Sequence, residues 1–361
     1  MVTLESHHLL VDARPLSYYA KAVRPSLAPD IFDPVPSRLA WLALHVGVVV
    51  AGTLALVHHI GGPWARPLWS LLIGSSFAGM AFVGHETLHG AVVRNRVLRH
   101  LVGWLCFLPF SLSPRLWVAW HNKTHHGNTM RDGVDPDAFP TLETYKVSWT
   151  ARLADKVVVG RHRPLGFLTL LLGFTGQSTQ MLLIWSRKTD ALTPAERRWV
   201  ALEAALQWAT WAAVAWLVGL STFVFSFLIP LYIGNAVVIS YILTNHNLSP
   251  LTEVNDPLLN SLSVEMPGFV HRYHLHFGLH VEHHLFPSMS SARAPEVRAV
   301  LKEKFSDRYQ SLPFLTAMYR LMTTPRVYGT PTTLIDPHSG YQAGVLLPTP
   351  HGTNDTPPLP F

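Results

Sequence analysis

The sequence predicts an all-α, polytopic membrane protein with four transmembrane helices, additional interfacial helices and a metal-binding cap on the cytoplasmic side. Three observations predict it. Of 361 residues, 48% are hydrophobic and only 14% are charged, well under the roughly 25% charged fraction of a soluble domain. Apolar runs at 39–60, 68–84, 200–220 and 223–244 are each long enough for a hydrocarbon core of about 30 Å. Three short histidine clusters stand at the ends of these runs rather than at their middles.

Residues 1–38 are mixed in character and punctuated by Pro25, Pro34 and Pro36. They read as a cytoplasmic lead-in containing one short interfacial helix. No signal peptide is expected, because Glu5 and Asp12 precede any apolar run and none follows before residue 39. The run Leu39 to Ile60 and the run Leu68 to Gly84 form a hairpin turned by Gly61, Gly62 and Pro63. Leu101 to Leu112 is too short for a comfortable span and reads as re-entrant or interfacial. Residues 127–164 are polar and irregular. Phe167 to Trp185 is apolar but carries Thr175, Gln177, Ser178, Thr179 and Gln180, and reads as a helix lying in the interface. Val200 to Leu220 and Phe223 to Thr244 make a second hairpin turned at 219–222, slightly weakened by Glu203 and Gln207. A kink is expected at Pro230 and Gly234, which a membrane helix tolerates when neighbours satisfy the freed carbonyls. Residues 39–329 thus form the membrane domain, and the proline-, glycine- and threonine-rich stretch 330–361 is expected to be a disordered tail.

Charge orients the chain. The turns at 61–66 and 219–222 together hold one basic residue, Arg66, whereas 1–38, 90–198 and 291–326 hold nearly all the others. Positive-inside bias then puts both termini and all three clusters in the cytoplasm. The net charge of +6 comes with no basic run or nucleic-acid motif, so nucleic acid is not an expected partner. Contact with anionic lipid head groups or an acidic protein is. The single cysteine, Cys106, excludes an internal disulfide and a cysteine-based zinc or iron–sulfur site.

The clusters are His85 and His89; His121, His125 and His126; and His280, His283 and His284. Neutral imidazole is the commonest metal ligand. Eight rings exceed the needs of one tetrahedral ion, which makes two ions the natural count. His85 and His89 are four apart and share one helical face. His121 and His125 share another, with His126 turned about 100° further round and free to reach a different ion if Gly127 ends the helix. His280, His283 and His284 again fall on one face. Glu86 and Glu282 lie inside the clusters and are expected to accept ring N–H bonds that fix imidazole orientation. Other histidines carry weaker expectations. His58 and His59 read as interfacial; His100, His162, His338 and His351 as surface residues. His271 and His274 read as loop residues, while His276, one turn before His280, is evenly balanced between the loop and the metals. Three unrelated polar helix ends are the bland alternative, disfavoured because ionisable groups at membrane helices tend to be functional.

These residues resemble the integral-membrane fatty acid desaturase family, which carries three ordered histidine boxes separated by transmembrane helices. The boxes here are HX3H at 85–89, HX3HH at 121–126 and HX2HH at 280–284. Trp120-His121 and His283-His284-Leu285-Phe286-Pro287 also look like the family, and the resemblance covers roughly residues 15–310. It implies that the boxes hold two non-haem iron ions. It also implies a further ligand after the last transmembrane helix, where His246 stands. The family places a water-holding asparagine one turn before that histidine; this chain has Ile242 there, with Asn245 and Asn247 as the candidates to replace it. The implied activity removes two hydrogens from an unactivated fatty acyl chain, giving a cis double bond and consuming O2 and two external electrons. No side chain acts as a nucleophile. With no haem-attachment, cytochrome b5-like or nucleotide-binding segment in the chain, the electrons come from an outside carrier, a ferredoxin or a cytochrome b5-like protein, docking on the basic face. The HX3H and HX3HH spacings look like desaturases of acyl groups in lipids. The nearest rival is a di-iron hydroxylase or carotenoid ketolase, whose second box is HX2HH. A non-enzymatic, histidine-rich metal-binding membrane protein is more distant, since transport sites usually lie at the midplane.

Overall fold

The computed structural model describes residues 12–348. Helix α1 (Leu16–Val23) precedes the long helices α2 (Leu39–Val57) and α3 (Gly62–Leu88). Gly61 and Gly62 take the positive φ values, 81° and 68°, that the reversal between α2 and α3 requires. Helix α3 therefore starts six residues before its apolar run, with Pro63 in its first turn, where a missing N–H costs nothing. It also runs on to Leu88, so His85 is helical. After α4 (Arg96–Phe107), the chain turns sharply at Ser111 and enters α5 (Pro114–Trp117), which continues in a wider winding over Val118–His125. The segments Arg96–Phe110 and Pro114–His125 meet at 98°. Then come α6 (Phe167–Gln180, widening over Met181–Trp185), α7 (Pro194–Val218) and, after Gly219, a continuous helix whose main part is α8 (Ile229–His246). After α8 follow α9 (His280–Leu285), α10 (Ala294–Lys304) and α11 (Phe314–Thr323), with two short parallel strands, β1 (Ser263–Glu265) and β2 (Ser311–Pro313).

Among the described residues, five helices are long and apolar enough to cross a membrane, or six if the bent pair forms one span. The sequence reading expected four. The difference is Phe167–Lys188, expected to lie in the interface because of its hydroxyl and amide residues. Those groups are satisfied within the protein: Ser178 and Thr179 donate to carbonyls four residues back, at 2.7 and 2.8 Å. The side chain of Asn235 pairs with Thr175. Of Glu203 and Gln207, expected to weaken α7, the carboxylate is fully satisfied and the amide is bonded through its NH2 alone. Glu203 accepts from Ser113, Arg115 and His100, at 2.6, 2.7 and 2.8 Å, and Gln207 donates to the Leu112 carbonyl at 3.2 Å. His100 is thereby half-buried rather than an ordinary surface residue.

Helices α3 and α8 cross closely through Gly74 and Gly234. A Cβ added at Gly74 would come within 2.6 Å of the Ile233 Cβ and 2.8 Å of the Pro230 carbonyl oxygen. Small residues at such crossings let backbones approach where lipid supplies no hydrophobic drive. Just before Pro230, the winding widens over Val224–Leu228, and the Phe225 carbonyl takes a bond from Ser70. The irregularity expected at Pro230 is therefore displaced one turn upstream.

The tail differs from expectation. Strands β3 (Val327–Thr330), β4 (Thr333–Ile335) and β5 (Gln342–Gly344) form an antiparallel sheet. Tyr328 and Leu334 bury against Met130 and Leu251, and the fully buried Arg326 donates to the Asn247 carbonyl at 2.7 Å. Turn-rich composition here encodes hairpins rather than disorder. Residues 349–361, His351 among them, lie outside the described residues, as do 1–11 of the lead-in. The rest of the lead-in is tied down: Tyr19 donates to Asp256 at 3.1 Å, and Asp256 also pairs with Arg308 at 2.9 Å.

Candidate metal centre

All nine expected ligand histidines converge where the ends of α3, α5 and α8 meet α9. They divide into two groups. In one, donor nitrogens of His85, His89, His121 and His283 lie within 4.8 Å of one another. His126 joins it, with its Nε2 3.2 Å from that of His121 and 3.0 Å from that of His283. In the other, His125, His246 and His284 meet the same criterion. There His280 Nε2 is 2.8 Å from His246 Nε2 and 3.2 Å from His284 Nε2.

Local winding decides this division. On an α-helix, His121 and His125 would stack one turn apart. Over Val118–His125, however, the helix is of the wide i→i+5 kind, and the His126 N–H donates to the His121 carbonyl at 3.0 Å. His121 Nε2 thus meets that of His126, while His125, its ring still stacked on that of His121 with centroids 5.0 Å apart, also meets His246 and His284. Box three also splits: His280 and His284, four apart, go together, while His283 faces the first group. His85 and His89 share a group, as their spacing predicts.

The donor sets fit metal ions. Two ligands about 2.1 Å from a shared ion and at right angles to each other lie about 3 Å apart, which is the spacing of the paired Nε2 atoms. His89 Nε2 and His125 Nε2 are buried and have no hydrogen-bond partner among the described residues. Such orphaned nitrogens are costly unless something else binds them. Burial, followed by repulsion from neighbouring rings, holds His126, His280, His283 and His284 well below the ordinary imidazole pKa. These four rings therefore stay neutral and keep the lone pair that ligation needs, whereas at His125, against the effect of burial, the Asp135 and Asp137 carboxylates push the ring up to about 9.

The orienting groups differ from those expected. Glu86 does not accept from an imidazole. It pairs with Arg38 at 2.9 Å and takes bonds from Ser290 and Ser291, tying the start of α2 and the loop after box three to α3. Glu282 accepts instead from Ser263 and Tyr309, locking α9 to β1. His276, at φ 59°, lines a cavity beside Glu86 and His283 but joins neither donor group.

The carboxylates that reach a ring come from the loop after box two, which the sequence reading treated only as polar and irregular. Asp135 Oδ1 is 2.9 Å from His125 Nδ1, and Asp137 Oδ2 is 3.4 Å away. Asp135 is fixed in turn by the N–H groups of Met130 and Asp137, at 2.7 and 3.0 Å. Asp137 takes bonds from Trp120 and Gln177; burial pushes its carboxyl up to about 6, while the same contacts with His125 draw that of Asp135 down. The Asn260 carbonyl holds His246 Nδ1 at 3.1 Å, and Thr129 Oγ1 contacts His284 Nδ1 at 3.2 Å. The available signal was two acids flanking a proline within a dozen residues of a box. Neither candidate asparagine takes up a position beside His246 by hydrogen bonding: Asn247 donates to the Asp137 carbonyl, and the Asn245 amide is buried with no partner among the described residues.

One wall of the centre opens on a narrow cavity. Apart from the histidines and Asp137 it is aromatic and aliphatic, with Phe82, Phe107, Phe174, Val238, Ile242 and Phe277 among its lining.

A model of the family described as fatty acid desaturase matches residues 61–315. The chain is 26% identical over 327 residues to a Synechocystis protein named sn-1 acyl-lipid omega-3 desaturase (ferredoxin), covering 84% of this chain and 87% of that one. Over 126 residues it is 30% identical to an sn-1 oleoyl-lipid 12-desaturase of Picosynechococcus, covering 32% and 35% of the two chains. Over 108 residues it is 28% identical to a chloroplastic omega-6 fatty acid desaturase of Brassica napus, covering 28% and 24%.

Proposed function

The chain belongs to the fatty acid desaturase family, and we propose that it introduces a cis double bond into the acyl chain of a membrane lipid, using O2 and two electrons from an external ferredoxin. The observation that carries this reading is the meeting of two all-imidazole donor groups with the wall of an apolar cavity. His85, His89, His121, His126 and His283 would hold one iron and His125, His246, His280 and His284 the other. Bound iron would supply the oxidising power, from O2, that an unactivated C–H bond demands. The chain's own residues then do three things. Aromatic and aliphatic walls take up the acyl chain and exclude water. The cavity's shape presents one carbon pair to the histidine wall. Asp135, Asp137, Thr129 and the Asn260 carbonyl fix ring orientation in the second group. The relatives named for lipid-linked acyl chains support the lipid carrier, and the Synechocystis relative supports ferredoxin as donor. The distribution of basic residues supports a cytoplasmic centre.

The test is lipid and pigment profiling of a bacterial host that co-expresses a ferredoxin and its reductase with either the wild type or His283→Ala. A new unsaturated acyl species in lipid, lost in the variant, is the expected result and gives the bond position. An oxygenated lipid or carotenoid in its place would move the assignment to a hydroxylase or ketolase.

A further inference from the structure

We propose that a basic pocket between α4, α5 and α7 binds the phosphate of an anionic phospholipid. The pocket is open, about 180 Å³ in volume, and Arg96, Arg99, Arg115 and Lys123 are among its lining. The carboxylate in its lining is Glu196, which is occupied by the N–H and hydroxyl of Thr193 at the start of α7, at 2.7 and 2.8 Å. Arg115 is held through its Nε to the buried Glu203 at 2.7 Å, and its terminal nitrogens have no acceptor among the described residues. Neither Arg96 nor Arg99 has an acidic partner among those residues. Arg99 is seated against the backbone at Gly90, where an added Cβ would lie 2.8 Å from its Nη1. Arg96, Arg99 and Lys123, which have no acidic partner among the described residues, face one volume together with the free end of Arg115 and repel each other until an anion enters. The planar guanidinium fork suits phosphate oxygens.

Exposed apolar residues on the helices that carry the pocket point to a lipid as the source of that phosphate. Val97 and Leu101 on α4 and Trp199 on α7 are each more than half exposed, which is costly in water and ordinary at a bilayer surface, where tryptophan also concentrates. The pocket floor includes Leu88, the residue before His89, so it lies at the level where α3 leaves its apolar run. It is not the metal cavity. Arg115, Val118 and Lys123 line the pocket, while Trp117, His121 and His125 of the same helix line the cavity. This proposal rests on the membrane placement of the helices and is independent of the desaturase reading.

The whole protein, in nanodiscs of neutral lipid, would be titrated with phosphatidylglycerol and with a neutral galactolipid, and bound lipid counted by native mass spectrometry. The wild type should retain phosphatidylglycerol about tenfold or more in preference. Arg96→Gln/Arg99→Gln should lose the preference, and Lys123→Glu, an independent variant on another element, should weaken it. Arg187→Gln/Lys188→Gln, which removes the same charge elsewhere on the surface, should keep it. No preference in the wild type, or a preference that survives both pocket variants, would overturn the proposal. Displacement of the lipid by millimolar inorganic phosphate would overturn the lipid assignment in favour of a free-anion site.

Discussion

The two histidine groups are built from the same side chain but held differently. His125, His246, His280 and His284 are at most 2% exposed. Three of these four rings have an Nδ1 fixed by a non-imidazole partner: the Asp135 carboxylate, the Asn260 carbonyl and the Thr129 hydroxyl. In the other group, His89, His126 and His283 are partly exposed, and the side-chain hydrogen bonds found among the described residues run only from ring to ring. One group is thus oriented by the fold before any ion arrives. The other has no such anchor for its rings among the described residues. The lesson is that identical ligands need not make equivalent sites, because tautomer and ring angle are set from behind.

This contrast can be broken first at its strongest point. Asp135→Asn removes the charge behind His125, and loss of such a partner typically lowers metal affinity about 10–100-fold. Iron titrated against a chelator should show that loss for one of two ions. Equal loss of both, or none, would dissolve the distinction between the groups. A smaller effect is kinetic. A chelator added to loaded wild-type protein should remove iron in two phases, the faster belonging to the partly exposed group, and His89→Ala should abolish the fast phase alone. A single phase of two ions would count against it.

The smallest effect is on the stability of the metal-free protein. The folded-state pKa values of His280, His283 and His284 are depressed by burial, whereas an unfolded histidine titrates near 6.5. Their contribution to stability is therefore fully present above about pH 6.5 and is lost as the pH falls, because the unfolded chain takes up protons that the folded rings refuse. The melting temperature should fall by roughly a few degrees per pH unit below that value. A flat profile down to about pH 5 would mean that the rings are hydrated rather than buried.

Much of the metal centre was legible because box spacing is a local property. Positions three, four or five apart on a helix are fixed relative to their own axis, so eight of the nine candidate ligands could be named from spacing, while His246 came only from the family resemblance. Hydropathy likewise located the two hairpins, since a span is a matter of length and composition. The sequence reading missed Asp135 and Asp137 because nothing local distinguishes a loop aspartate facing solvent from one folded back onto a ring.

What the sequence by itself determined, then, was the set of candidate ligand histidines and the apolar segments that carry them. Only the tertiary structure decided which rings share an ion. That choice depends on the widened turn at Val118–His125, which pairs His121 with His126, and on the approach of α9, which sends His283 to one group and His284 to the other. It also decided that polar groups of Phe167–Gln180 find partners within the fold and that residues 327–344 form a sheet. The physical reason is common to all three. Polar groups in the chain become acceptable inside a fold once a distant segment satisfies them, and that partner is absent from any window of neighbouring residues.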